Sequence, residues 1–203
     1  MGVERTVVCM SGVGGSAAEW DRVIPSLAAF GRVSTVAPPA AGPLIVVGHS
    51  QGGVRALQLA AGEPGRVEAV VLASSFFPPA RAGRPLAATA LDYGRHRIAY
   101  ARELAGRRRV PSPTRRGLRQ MAAVARLGLR PAAFHSLAAR ARCPVLVIHG
   151  NEDHVVPLSF ARAAVAIHPT WTLRELPGAG HRPHRDRPDR WADAVSAWLC
   201  GVA

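Results

Sequence analysis

The chain has 203 residues, 48% of them hydrophobic and 19% charged, and carries a formal net charge of +13. That length favours one domain, or one domain with an insertion, and the balance excludes a disordered chain. No apolar run reaches the ~18 residues of a membrane-spanning helix, and Val7-Val8-Cys9-Met10 is too short for the apolar core of a signal peptide. The expectation is a cytoplasmic protein without a membrane partner. Gly2 and Thr6 fit a myristoylation pattern, but a strand starting at Val7 leaves a lipid no arm to sit on. Cys9, Cys143 and Cys200 lie in apolar or terminal settings without metal-ligand spacing and read as buried reduced thiols.

In chain order, Thr6–Met10 is a β-branched run that ends in Ser11-Gly12-Val13-Gly14-Gly15-Ser16, a buried strand and then a turn. Ser16 is placed to cap a helix with Glu19 at its third position, and Trp20, Val23, Ile24 and Leu27 follow at helical spacing. Strands are expected over 32–37, stopped by Pro38-Pro39, and over 43–47. A helix over 54–63 and a strand over 67–74 come next. After a long interval come a strand over 144–150, a helix near 158–167, a strand over 170–178 and a helix over 188–199. Apolar strands alternating with helices imply a parallel sheet covered on both faces.

The interval, 76–142, stands apart by charge. Every basic residue of the chain is Arg, and residues 78–142 hold 15 of them against only Asp92 and Glu103. Elsewhere Arg and acids balance. The expected organisation is therefore a core formed by 1–75 and 143–203, with 76–142 as an Arg-rich helical insertion.

Gly48-His49-Ser50-Gln51-Gly52 matches G-x-S-x-G where an apolar run hands over to a helix. A nucleophile on such a turn is held in a strained backbone conformation with its hydroxyl clear of the sheet, and the glycines remove side chains that would collide. The helix N-terminus behind it favours developing negative charge. A serine hydroxyl needs a base, and the base an orienting acid, in the order Ser, Asp, His for this turn. Asp153 follows the fifth strand and His181 the sixth, both at the carboxyl edge of the sheet. Glu152 and His184 are the neighbouring competitors. His49 and His149 read as structural, His154 as rim-lining, and His96, His135 and His168 as surface or packing residues. No metal or nucleotide motif appears, and the glycine-rich turn lacks the lysine of a P-loop, so no cofactor is expected.

These stretches resemble the α/β-hydrolase family. "VVGHSQGG" is similar to its nucleophile elbow, "VLVIHGNEDHVVP" to its acid-bearing turn, "LPGAGHRPHRDRPDRWADAVSAWL" to its histidine loop and last helix, and "VVCMSGVGGSAAEW" to its oxyanion loop. The resemblance implies an α/β-hydrolase fold with about six mostly parallel strands and a basic helical cap. It implies Ser50 as nucleophile, His181 as base and acid, Asp153 as orienter, and an oxyanion hole from the backbone amides of Val13 and Gln51.

The chain departs from that pattern in three ways. The first two family strands are missing. Ser11-Gly12 stands where the loop usually reads His-Gly. Only residues 37–43 separate the second and third strands, so a helix is lost and one sheet face should lie partly bare, covered by another subunit in a homodimer or by the basic segment. The function expected is a serine hydrolase cleaving an ester, thioester or lactone. The alternatives are an acyltransferase or cyclase using the same residues, or a binding protein that keeps only the fold. The clustered Arg favours an anionic small-molecule or carrier-bound acyl substrate; no nucleic-acid motif accompanies it.

Overall fold

A computed structural model describes residues 4–78 and 130–202; most of the Arg-rich segment, 79–129, lies outside the described residues, and with it His96 and the expected helical cap. The strands are β1 (Thr6–Met10), β2 (Arg32–Ser34), β3 (Leu44–His49), β4 (Val67–Ala73), β5 (Val145–Gly150) and β6 (Thr172–Leu176). They form one sheet in the order β2-β1-β3-β4-β5-β6, every neighbouring pair parallel. The helices are α1 (Ile24–Leu27), α2 (Gln51–Gly62), α3 (Pro131–Ala138), α4 (Leu158–Ile167), α5 (Pro183–Asp186) and α6 (Pro188–Val202).

The central strands are mostly apolar, with Glu68 of β4 the exposed exception, because both faces of the sheet are covered. Alternate residues feed two cores. Val8, Val46, Val70, Leu72 and Val147 pack with α2, α3 and α4. Val7, Ile45, Val47, Val71 and Ile148 pack with Trp20, Leu27, Trp191 and Leu199 on the other side. The ends of the expected insertion belong to the body. Phe77 and Phe134 are both fully buried, with ring centroids 6.3 Å apart in a T-shape.

Local expectations fail in two places. The helix expected from Ser16 is broken into a 3₁₀ turn at Ala17–Glu19, the single turn of α1 with Pro25 in its first positions, and a second 3₁₀ turn at Ala28–Phe30. Ser16 makes no side-chain cap, and Glu19 turns inward. β2 stops at Ser34, whose Oγ donates to the Ala37 carbonyl and turns the chain before Pro38. Beside the short 37–43 connection Val8 and Met10 of the sheet are buried. What remains there is a cavity of about 340 Å³ lined by Val8, Met10, Gly12, Thr35, Val36 and Arg55, with Val36 itself 90% exposed. Among the described residues no helix is long and apolar enough to cross a membrane.

Candidate functional site

Ser50 stands between the last residue of β3 and the first of α2, with φ 53° and ψ −121°. A left-handed φ on a non-glycine residue is costly and is held only by its surroundings. They are tight. The Ser50 amide donates to Ala73 O of β4 at 3.0 Å, and the Ser75 hydroxyl donates to Gly48 O at 3.3 Å. A Cβ on Gly48 would stand 2.5 Å from the Gly53 backbone, and one on Gly52 would overlap the Met10 carbonyl. The elbow is therefore wedged between β1 and β4.

Asp153 and His181 meet in the loops that follow β5 and β6. His181 Nδ1 lies 3.0 Å from Asp153 Oδ2 and 3.2 Å from Oδ1. Asp153 Oδ1 also accepts from the amides of Val155 and Val156 at 2.8 and 2.9 Å, and Oδ2 lies 3.2 Å from His149 Nε2. Burial alone would raise the Asp153 pKa; the hydrogen bonds and charges of His149 and His181 outweigh it and hold the carboxyl well below the usual range. His181 then donates through Nδ1 and keeps the Nε2 lone pair. Burial pushes its own pKa below the ordinary 6.5, with Asp153 pulling the other way, so the neutral form is favoured. His149 donates through Nε2 to Val156 O at 2.9 Å and braces the acid turn, while Glu152 and His154 are exposed.

Backbone contacts bind the acid turn to the histidine loop. The Glu152 amide donates to Ala179 O, and Asn151 Oδ1 and Asp186 Oδ2 accept from the amides of Gly178 and Gly180. Gly150 permits this approach, since a Cβ there would overlap the Ala179 and Gly180 carbonyls.

The loop after β1 closes a turn by Gly15 N–H to Gly12 O, with Gly14 at φ 69°. A Cβ on Gly12 would stand 2.9 Å from the Ser50 Cβ and 3.2 Å from His49 O, so the loop runs directly along the elbow at Gly12. Gln51 opens α2, whose first amides have no partners within the helix. Where a loop histidine was missing from the sequence pattern, Ser11 does the tying. Its Oγ donates to Ser16 O at 3.0 Å and accepts from Trp20 Nε1 at 3.1 Å.

Sequence reasoning missed a buried polar group behind the elbow. Glu19, His49 and His184 are 4%, 3% and 0% exposed, and their ligand-type atoms lie within 4.8 Å of one another. His49 Nδ1 lies 3.2 Å from Glu19 Oε1, and His49 Nε2 lies 2.8 Å from the backbone carbonyl of His181. That second contact brings the neighbour of Ser50 onto the backbone of His181. His184 stacks on Trp20 with centroids 4.5 Å apart, and neither ring nitrogen has a hydrogen-bond partner. Its pKa is pushed down to about 2, first by burial and then by nearby groups that disfavour its charged form, His49, Arg182 and Arg185. Nothing local in the sequence marks this trio. Cys9 stays a thiol, because burial, with Glu19 adding to it, pushes its pKa up to about 12. Cys200, expected to be buried, is instead exposed near the end of α6, and Cys143 is only half-buried.

A family model described as "Alpha/beta hydrolase family" matches residues 7–194. No curated protein matches the sequence. The structure is similar to a carboxylesterase of the ammonia-oxidizing thaumarchaeon Nitrososphaera gargenis, at 20% identity and TM-score 0.67, covering 100% of this chain and 93% of that one. It is similar to a carboxylesterase of Bacillus subtilis at 18% identity and TM-score 0.63, covering 97% and 84%. A monoacylglycerol lipase of Paleococcus ferrophilus matches at 20% identity and TM-score 0.61, covering 98% and 95%. At such identities the likeness is one of fold.

Proposed function

The chain belongs to the alpha/beta hydrolase family, and on that premise we propose that it is a serine hydrolase that cleaves an ester, thioester or lactone through an acyl-enzyme. The observation that carries this reading is the strained Ser50 at the elbow together with His181 Nδ1 held 3.0 Å from Asp153 Oδ2, which supports a base with a free Nε2. The esterases and lipases among the structural neighbours support a hydrolytic role. Ser50 Oγ attacks the acyl carbon while its proton passes to His181 Nε2. Negative charge gathers on the carbonyl oxygen, where the amides of Val13 and Gln51 stabilise it. Collapse expels the alcohol or thiol, which takes the proton from His181. Water, activated by the same nitrogen, then attacks the acyl carbon and releases the acid and Ser50. Asp153 holds the imidazole in the tautomer that both steps need. The Arg excess of 78–142 supports an anionic acyl substrate.

A fluorophosphonate probe tests the reading. Wild type should label and Ser50→Ala should not; equal labelling of the two would overturn it. With p-nitrophenyl esters, kcat of Ser50→Ala should fall by about 10⁵ or more. Within the same panel, wild type should show lower KM for anionic than for neutral esters, and equal KM values would remove the anionic preference.

A further inference from the structure

The Glu19–His49 pair fixes protons as well as atoms. The His181 carbonyl can only accept, so His49 Nε2, 2.8 Å away, carries a hydrogen. His49 Nδ1 and Glu19 Oε1 are 3.2 Å apart, two groups that would both present lone pairs if neither held a proton. One proton must lie between them, as imidazolium against carboxylate or as imidazole against carboxylic acid. Glu19 therefore selects the state of His49 that donates to His181.

The fold itself gives Glu19 no reason to be buried. It caps no helix, and an apolar side chain could fill its volume without the cost of withdrawing a charge from water. Its other oxygen, Oε2, packs on Gly15 of the loop after β1, where any Cβ would overlap it. His184 stands edge-on to His49 at 4.9 Å, and its depressed pKa makes it a neutral wall rather than a second claimant on the proton. One carboxylate thus touches the oxyanion loop, the residue before the nucleophile and, through that residue, the backbone of the base.

We propose that Glu19 is a positioning residue: through His49 it holds the His181 carbonyl, and so aims the His181 imidazole at Ser50. The role rests on the serine-hydrolase reading. A shared proton satisfies both His49 nitrogens, so the cluster is read as a hydrogen-bonded relay and not as a metal centre.

The test compares Glu19→Ala, Glu19→Gln and His49→Phe with wild type, each checked by circular dichroism. Glu19→Ala and His49→Phe should lower kcat about 10-fold or more, with KM within about 3-fold. Glu19→Gln should recover most of kcat, because its amide donates to Nδ1 and leaves the Nε2 hydrogen in place. A merely structural acid would predict Gln and Ala losing activity alike. Full kcat in folded Glu19→Ala, while Ser50→Ala is dead, overturns the proposal and leaves the hydrolase reading standing. A second readout needs no turnover. In ¹⁵N-histidine NMR spectra, wild-type His49 should be protonated at Nε2, and Glu19→Ala should give mixed tautomers. If wild type labels with no probe, the hydrolase reading falls; unchanged His49 spectra in Glu19→Ala would overturn the relay by themselves. A stoichiometric bound metal ion lost on Glu19→Ala would also overturn it, by putting a cation where the proton is argued to be.

Discussion

Asp153 does two things to His181, and they are separable by pH. Its hydrogen bond at Nδ1 fixes the tautomer, and its charge raises a pKa that burial otherwise lowers. Replacing the carboxylate by an amide removes both. Asp153→Asn should therefore lower kcat by about 10³–10⁴, as misassigned tautomers do in such triads. The acid limb of the residual activity should also move. On the proposed mechanism wild-type activity should be lost as pH falls through the His181 pKa, which lies below 6.5, because protonated Nε2 could not accept the Ser50 proton. Without the raising influence of Asp153, that limb should shift to lower pH still. A pH–kcat/KM profile of both proteins checks the sign; a limb that stays put or moves to higher pH would mean that Asp153 is not the group tuning His181.

At the scale of elements, the site is made where β1, β3 and β4 end and α2 begins, and glycines set how closely those ends approach. Gly52 faces the Met10 carbonyl with no room for a Cβ. Gly52→Ala should cost about 2–4 kcal/mol of stability, as backbone overlaps in a core do, and should slow probe labelling by shifting Ser50. Gly62→Ala, with nothing within 4 Å of the new methyl, is the control expected to be neutral or slightly stabilising. Urea denaturation of both variants distinguishes them, and equal midpoints would mean that the elbow is not wedged. The same elements show what was legible in the sequence. β3 and β4 were, because short, largely apolar runs bounded by turn residues specify strands buried on both faces. The elbow was, because its strain and its glycines are neighbours in the chain. The 16–27 stretch was not, although Ser16 and Glu19 make a good capping pattern. Glu19 is drawn instead to His49, 30 residues on, and Pro25 confines α1 to one turn. A local pattern cannot weigh a partner contributed by another strand.

Over the whole molecule, buried histidines make stability depend on pH. His135, His168, His181 and His184 all have pKa values lowered by burial. A base with a lowered folded pKa binds fewer protons folded than unfolded once pH drops below the unfolded value of 6.5. Stability is therefore lost as pH falls from there. Asp153 adds to this loss further down. Its depressed pKa gives stability that is full above the ordinary carboxylate value of 3.8 and is lost progressively as pH falls below it toward the folded-state pKa. His184 is the best single probe, being fully buried, without a partner and held at about 2. Between pH 7.5 and 5.0 it alone should remove about 2 kcal/mol, the work of keeping one imidazole neutral some 1.5 pH units below its unfolded pKa. His184→Leu loses the stack on Trp20 at every pH, so its absolute stability says little; the slope is what carries the information. Unfolding free energies at the two pH values should fall about 2 kcal/mol less in His184→Leu than in wild type. The Arg excess does not confuse the comparison, because both proteins carry it. Equal slopes would show that His184 gains its proton in the folded state, which would require a partner or water at its ring nitrogens and would put a second charge beside the Glu19–His49 pair.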